Sequence, residues 1–240
     1  MKVKYIIDQK FDNKLIWIIL NCSDPAGLEN RAISMSIPLD MAIEISKSKK
    51  YSQTKEKIDN ISNLRYEKLG DDFFKEQLIS YQTEWNKISN FFLNRVEEIT
   101  NFKWKHKIFY VVLSPFHIGT TTNGGNIVAR SVIENPKSQT RITAHEILMS
   151  HLWSYFYENY PDSKNDKSMK FWKLNEITTT LMLGSDSELD KLWIDEQKGI
   201  DNFMKNYPQL SKLKYELRDL YVNRSNFETY ITQAIKSLEN

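Results

Sequence analysis

Phe74, Leu78, Tyr81, Trp85, Ile88, Phe92, Val96 and Ile99 recur at steps of three and four residues. That spacing keeps one stripe of a helix apolar over about seven turns. A helix of this length, predicted over Asp71 to Thr100, needs other elements along its whole stripe. The chain around it must therefore build a large, mostly helical core. The stripe is read as core, because aromatic residues at helical spacing bury first and bind second.

The rest of the chain supplies partners for that helix. KIFYVVLS (Lys107 to Ser114) and NIVARSVI (Asn126 to Ile133) are runs of β-branched and aromatic residues, read as two strands. Between them PFHIGTTTNGG is turn-rich, so the strands are joined by a loop or an irregular hairpin. Pro136 and Ser138 close the second strand, and Thr140 or Thr143 opens a helix running over Ile142 to Tyr160. Further helices are expected over Ser168 to Leu183, Glu188 to Lys205 and, after Pro208, one or two more. Pro38-Leu39-Asp40 starts a short helix through Ile45. The first twenty residues fit either a hairpin turning at the DN dipeptide or a strand followed by a helix from Phe11. The fold class is α+β, predominantly helical with a small sheet, in a single domain over residues 1–240.

Charge and cysteine usage exclude several roles. The net charge is +2, with acidic and basic residues interleaved, which gives no handle for nucleic acid or a membrane surface. The one basic run, Lys47 to Lys57, has five lysines against one glutamate and reads as a solvated loop or helix end. The single Cys22 has no partner for an internal disulfide and is expected as a small buried hydrophobe. LIWIIL (Leu15 to Leu20) is too short to span a bilayer, and no secretory signal is visible. A soluble, cytoplasmic protein is expected.

Chemistry concentrates in TAHEILMSH, Thr143 to His151. Zinc peptidases carrying HExxH place two histidines at i and i+4, about 40° apart in projection, so that both imidazoles reach one ion from one helical face. The glutamate beside the first histidine takes a proton from the metal-bound water. Here His145 and Glu146 fill the first two places and Met149 stands where the second histidine belongs. His151 falls about 240° round from His145 on an ideal helix, so it reaches the same ion only through a bulged or distorted helix. Downstream, FWKLNEITTTLML carries Glu176 on a second helix, preceded by Asn175.

Together the HE pair and the LNE segment resemble gluzincin metallopeptidases, the class that includes thermolysin, whose second helix supplies a glutamate as third zinc ligand. The resemblance covers roughly residues 72 to 183, and three positions carry its chemistry: His145, Glu146 and Glu176. The interval from the HE pair to Glu176 is somewhat longer than is usual in that class. The resemblance implies a zinc site of His145, Glu176 and a third group, either His151 or His117 from the loop after the first strand, His117 being alternatively an oxyanion partner. It implies Glu146 as the base that activates water against a peptide bond, with a peptide or protein as substrate. The alternative is a catalytically inactive relic that binds protein. A third reading, with no common descent, takes Thr143-x-x-Glu146 as a helix capping box, His145 as a core histidine bonded to a carbonyl, and His151 and His106 as surface residues.

Overall fold

A computed structural model describes residues 1–22, 27–116, 119–121, 124–193 and 208–239. The long amphipathic stretch is a helix with the expected ends, α5 (Asp71–Thr100), closed by Asn101 in the left-handed conformation at φ 48°. Before it come β1 (Lys2–Ile6), α1 (Gln9–Asn21), α2 (Gly27–Ser34), α3 (Leu39–Ser46) and α4 (Lys55–Leu69). After it follow β2 (Ile108–Ser114), β3 (Gly119–Thr121), β4 (Ile127–Ser131), α6 (Pro136–Asn159), α7 (Lys170–Ser185), α8 (Pro208–Val222) and α9 (Phe227–Glu239). The fold is α+β and predominantly helical. Of the helix expected from Glu188 to Lys205, residues 190–192 form a single 3-10 turn, and 194–205 lie outside the described residues. Among the described residues no helix is long and apolar enough to cross a membrane.

The sheet has the order β1-β2-β4-β3. β1 runs parallel to β2, and β2 parallel to β4, with Val111 opposite Val128; only β3, at the edge, is antiparallel to its neighbour β4. The two strands read from the sequence are thus side by side and parallel, which excludes a hairpin between them. Their core-facing runs are buried almost continuously, as expected for parallel strands covered by helices.

The amino terminus is a strand followed by a helix. The DN dipeptide, Asp12-Asn13, lies inside α1 and is buried, where α4 gives each side chain a hydrogen bond: Tyr66 donates to Asp12 at 3.1 Å and Asn13 donates to Asp59 at 2.8 Å. Asp8 caps the helix by accepting from the Phe11 amide at 2.9 Å. Cys22, expected in the core, is exposed at the end of α1, with the Arg31 guanidinium 3.6 Å from its sulfur. The lysines from Lys47 to Lys57 are exposed around a 3-10 turn and the start of α4.

Two apolar clusters result. One gathers α1 to α4 around Ile16, Leu20, Ile45 and Ile58; the other joins the sheet, α5, α6, α7, α8 and α9, with Trp85, Phe92, Leu148, Leu174 and Tyr230 fully buried. Tyr66 packs against both. Trp85 meets Phe92 edge to face at 5.7 Å between centroids, so Trp85→Ala removes the largest apolar side chain of the α5 stripe. Its expected cost is about 3–5 kcal/mol, whereas Ile79→Ala, at a position 70% exposed, should change stability by less than about 0.5 kcal/mol. Urea unfolding of the two variants checks the assignment of faces; equal losses would overturn it.

Candidate functional site

α6 begins earlier than expected. Asn135 is its N-cap, accepting from the Lys137 amide at 2.9 Å, and Pro136 occupies the first helical position, where a missing N–H costs nothing. Thr143 is consequently more than a turn inside the helix and fully buried, and the Tyr5 hydroxyl on β1 donates to it at 3.1 Å. The capping-box reading of Thr143 and Glu146 is therefore excluded. What orients this turn of α6 is the sheet beneath it.

Two residues of the LNE segment fasten α7 to α6. The Asn175 side-chain amide, fully buried, donates to the Met149 carbonyl at 2.9 Å. One position on, Glu176 brings a carboxylate oxygen to 3.3 Å from Nε2 of His145, one turn earlier on α6. Within α7, Thr179 donates to Asn175 and Thr180 to the Glu176 carbonyl, while Thr178 bonds across to Tyr230 of α9. His145 and Glu176 keep only 14% and 9% of their side-chain surface in contact with solvent. Burial disfavours the imidazolium, but the adjacent Glu176, with Glu146 nearby, outweighs it and holds the His145 pKa above its ordinary value. Nδ1 of His145 has no hydrogen-bond partner, so this is not a core histidine anchored to a carbonyl.

Glu146 stands beside the pair without joining it. Burial raises its carboxyl above the usual range, against the opposing pull of His145 and Arg130. Arg130, on β4, is a further member of the site that the sequence reading passed over. It is fully buried: Nε donates to Gln139 at 2.8 Å, Nη2 lies 3.4 Å from Glu134, and Nη1 has no partner. Its signal was present as a lone arginine inside an otherwise apolar strand, a residue type that is almost never fully buried unless paired.

The remaining histidines do not converge on His145. α6 is an unbroken helix, so His151 faces α5 instead, correcting both the distorted-helix ligand and the surface reading. It is 1% exposed, its Nε2 is 3.1 Å from the Thr100 hydroxyl, and its ring lies 4.2 Å from that of Trp104 and 5.3 Å from that of Phe102. His106 is half-buried and bonds to the Gly124 carbonyl at 2.9 Å. His117 lies outside the described residues. Met149 is 3% exposed, one turn after His145.

The donor set can be tested against zinc directly. A catalytic site needs three protein ligands and an open position. The described residues bring together one imidazole and one carboxylate, with a thioether at the place of the second imidazole, and among them no group of three His, Cys, Asp or Glu side chains is placed to hold a metal ion. The described residues do not fit a catalytic zinc. A cleft elsewhere is lined by Arg95, Glu98, Asn101, Tyr155, Arg224 and Phe227; Arg95 pairs with Glu98 on its wall and with Asp186 beyond it, and Arg224 lies over the Tyr221 ring.

Comparison with protein families, with curated proteins and with solved structures gives no match.

The environment of His151 makes a measurable demand. Burial among aromatic rings pushes its pKa down to about 3, while in the unfolded chain it titrates near 6.5. Between those values the unfolded state binds the extra proton, so stability must fall as pH drops below 6.5, by about 1.4 kcal/mol per pH unit. From pH 6.5 to pH 5 the wild type should lose about 2 kcal/mol more than His151→Gln, which keeps a neutral polar group near Thr100. Denaturant unfolding at the two pH values measures the difference; identical losses would place His151 in water.

Proposed function

We propose that this protein is metallopeptidase-like in frame, has lost the catalytic metal, and acts by holding a peptide or protein segment without cutting it. The observation that carries this reading is the α6–α7 seam, where His145 meets Glu176 directly and Met149 lies buried at the position a second imidazole requires. The HE pair on one helix, facing a glutamate from the next, supports the gluzincin-like ancestry. A thioether is a weak zinc ligand, which argues against retained hydrolysis. The peptidase alternative, with Glu146 as base, needs a third ligand, and of the candidates His151 faces elsewhere.

A segment-binding role also has a physical seat. β3 is the last strand of the sheet and packs against α6. In this reading an extended segment is held by strand addition, through main-chain hydrogen bonds at an edge of the sheet. Such binding needs no metal.

Zinc content after purification without added metal tests the reading, with His145→Ala, Glu176→Ala, His151→Ala and His117→Ala beside the wild type. The expected wild type carries far less than one zinc per chain, none of the variants changes that value, and a mixed peptide library incubated with the protein is recovered intact. One zinc per chain that disappears in His145→Ala and Glu176→Ala would sink the inactive reading in favour of the peptidase, and loss in His117→Ala would then name the third ligand.

A further inference from the structure

We infer that residues 101–107, the connector from α5 to β2, form a strap pegged on His151, and that acid releases this strap locally, ahead of global unfolding. The inference is independent of the metallopeptidase-like reading, because it uses no residue of the α6–α7 seam.

The peg is built from two sides. Phe102 and Trp104 of the connector close on the imidazole at 5.3 and 4.2 Å between ring centroids, and its Nε2 lies 3.1 Å from the Thr100 hydroxyl at the end of α5. That hydroxyl has one proton and gives it to the Val96 carbonyl at 2.8 Å, so toward His151 it accepts. Nε2 therefore carries the hydrogen of the neutral ring. Nδ1 is the bare nitrogen, buried and without a partner. A second proton has to sit there, where no acceptor waits, at the cost of an unmade hydrogen bond and a charge in the interior.

Few other contacts hold the strap. Glu97 of α5 accepts from the Trp104 amide at 3.1 Å and pairs with Lys103, and the Trp104 indole donates to the Leu93 carbonyl at 3.0 Å. Toward β2, His106 bonds to the Gly124 carbonyl at 2.9 Å. The charged and titratable groups around the peg are thus Glu97 on α5 and Lys103 and His106 on the connector. α6 adds Tyr155, edge to face with Phe102, and β2 adds the uncharged Phe109 ring against Trp104. Glu97 favours an imidazolium, but its carboxylate is already shared between Lys103 and the Trp104 amide, and burial prevails over it.

Release has a defined consequence. Phe102 stands on the wall of the cleft shared with Asn101, Tyr155, Arg224 and Phe227, so a strap lifted from His151 widens that cleft and bares two aromatic rings. The pegged imidazole takes its proton only near pH 3 and the free one near 6.5, so the closed strap is fully favoured above about 6.5 and weakens tenfold for each unit below. Between pH 7 and pH 5 the equilibrium constant for opening should rise about 25-fold.

Hydrogen exchange of the Trp104 amide and indole, corrected for the intrinsic rate, reads this opening at pH 7 and pH 5. The comparison is with His151→Phe, which keeps a ring in the pocket and cannot take a proton; Glu97 and His106 are present in both proteins, so their titration cancels. The wild type should lose about 25-fold in protection and the variant less than about twofold. Exchange at Trp104 should also be unchanged by about 1 M urea, while that of Val111, buried between two strands of the sheet, speeds up. Should His151→Phe fail to fold by circular dichroism, His151→Gln takes its place. Equal losses in wild type and variant overturn the inference, because the peg is then not His151. Exchange at Trp104 that follows urea as Val111 does overturns it too, because the strap then opens only when the whole chain unfolds.

Discussion

The cross-helix seam built by Asn175 and Glu176 on α7 against Met149 and His145 on α6 is the contact on which the arrangement of the larger core depends. α6 lies on the sheet through Tyr5 and Thr143 and against α5 through His151 and Thr100. α7 in turn carries α9 through Thr178 and Tyr230. Shifting α7 by one residue along α6 would separate the Asn175 amide from the Met149 carbonyl and the Glu176 carboxylate from His145 together. Apolar packing between the helices tolerates sliding far better than this pair of polar contacts does, so they set the register.

Such polar groups are an unusual way to hold a core. Arg130, Gln139, Thr143, Asn175 and Glu176 are all buried on or against the stretch of α6 from Gln139 to Met149. Burying an ion pair costs desolvation that the attraction only partly offsets, and an apolar replacement of similar shape is often as stable or more so. Nη1 of Arg130, Nδ1 of His145 and an oxygen of Glu176 are moreover left without hydrogen bonds. A cluster with that many incomplete contacts is poorly explained as a stability device.

Most of the helical frame was legible in the letters, because periodicity reports burial. The ends of α5 came directly from its aromatic stripe, and the helical assignments of α6 and α7 held although their boundaries moved. α6 started six residues early because Asn135 and Pro136 make a better helix start than the threonines further on. The relation between the strands was not legible: parallel and antiparallel partners share the same local pattern, and only the edge strand β3 reveals how the chain returns. The DN dipeptide misled in the same way, since a turn signal has no force when α4 supplies partners for both side chains. At the site, His145 and Glu176 were legible from their company and do meet. Arg130 was hidden by its strand, and His151 was assigned by a helical wheel that gave its direction correctly but not what lies there.

That direction explains why the two histidines of TAHEILMSH have had separate fates. His151 faces the Thr100 end of α5 and the rings of Phe102 and Trp104, where a neutral imidazole packs as a flat, half-polar spacer with one bond to a hydroxyl. Nothing there calls for a charge or a metal. His145 faces α7, where a carboxylate has been brought into the interior with little else to meet it. With methionine at 149, the charge of Glu176 must be answered by the histidine itself, and the upward pKa of His145 is the electrostatic record of that demand. The His145–Glu176 contact stands at 3.3 Å, and Nδ1 on the other side of the imidazole is left without a hydrogen bond.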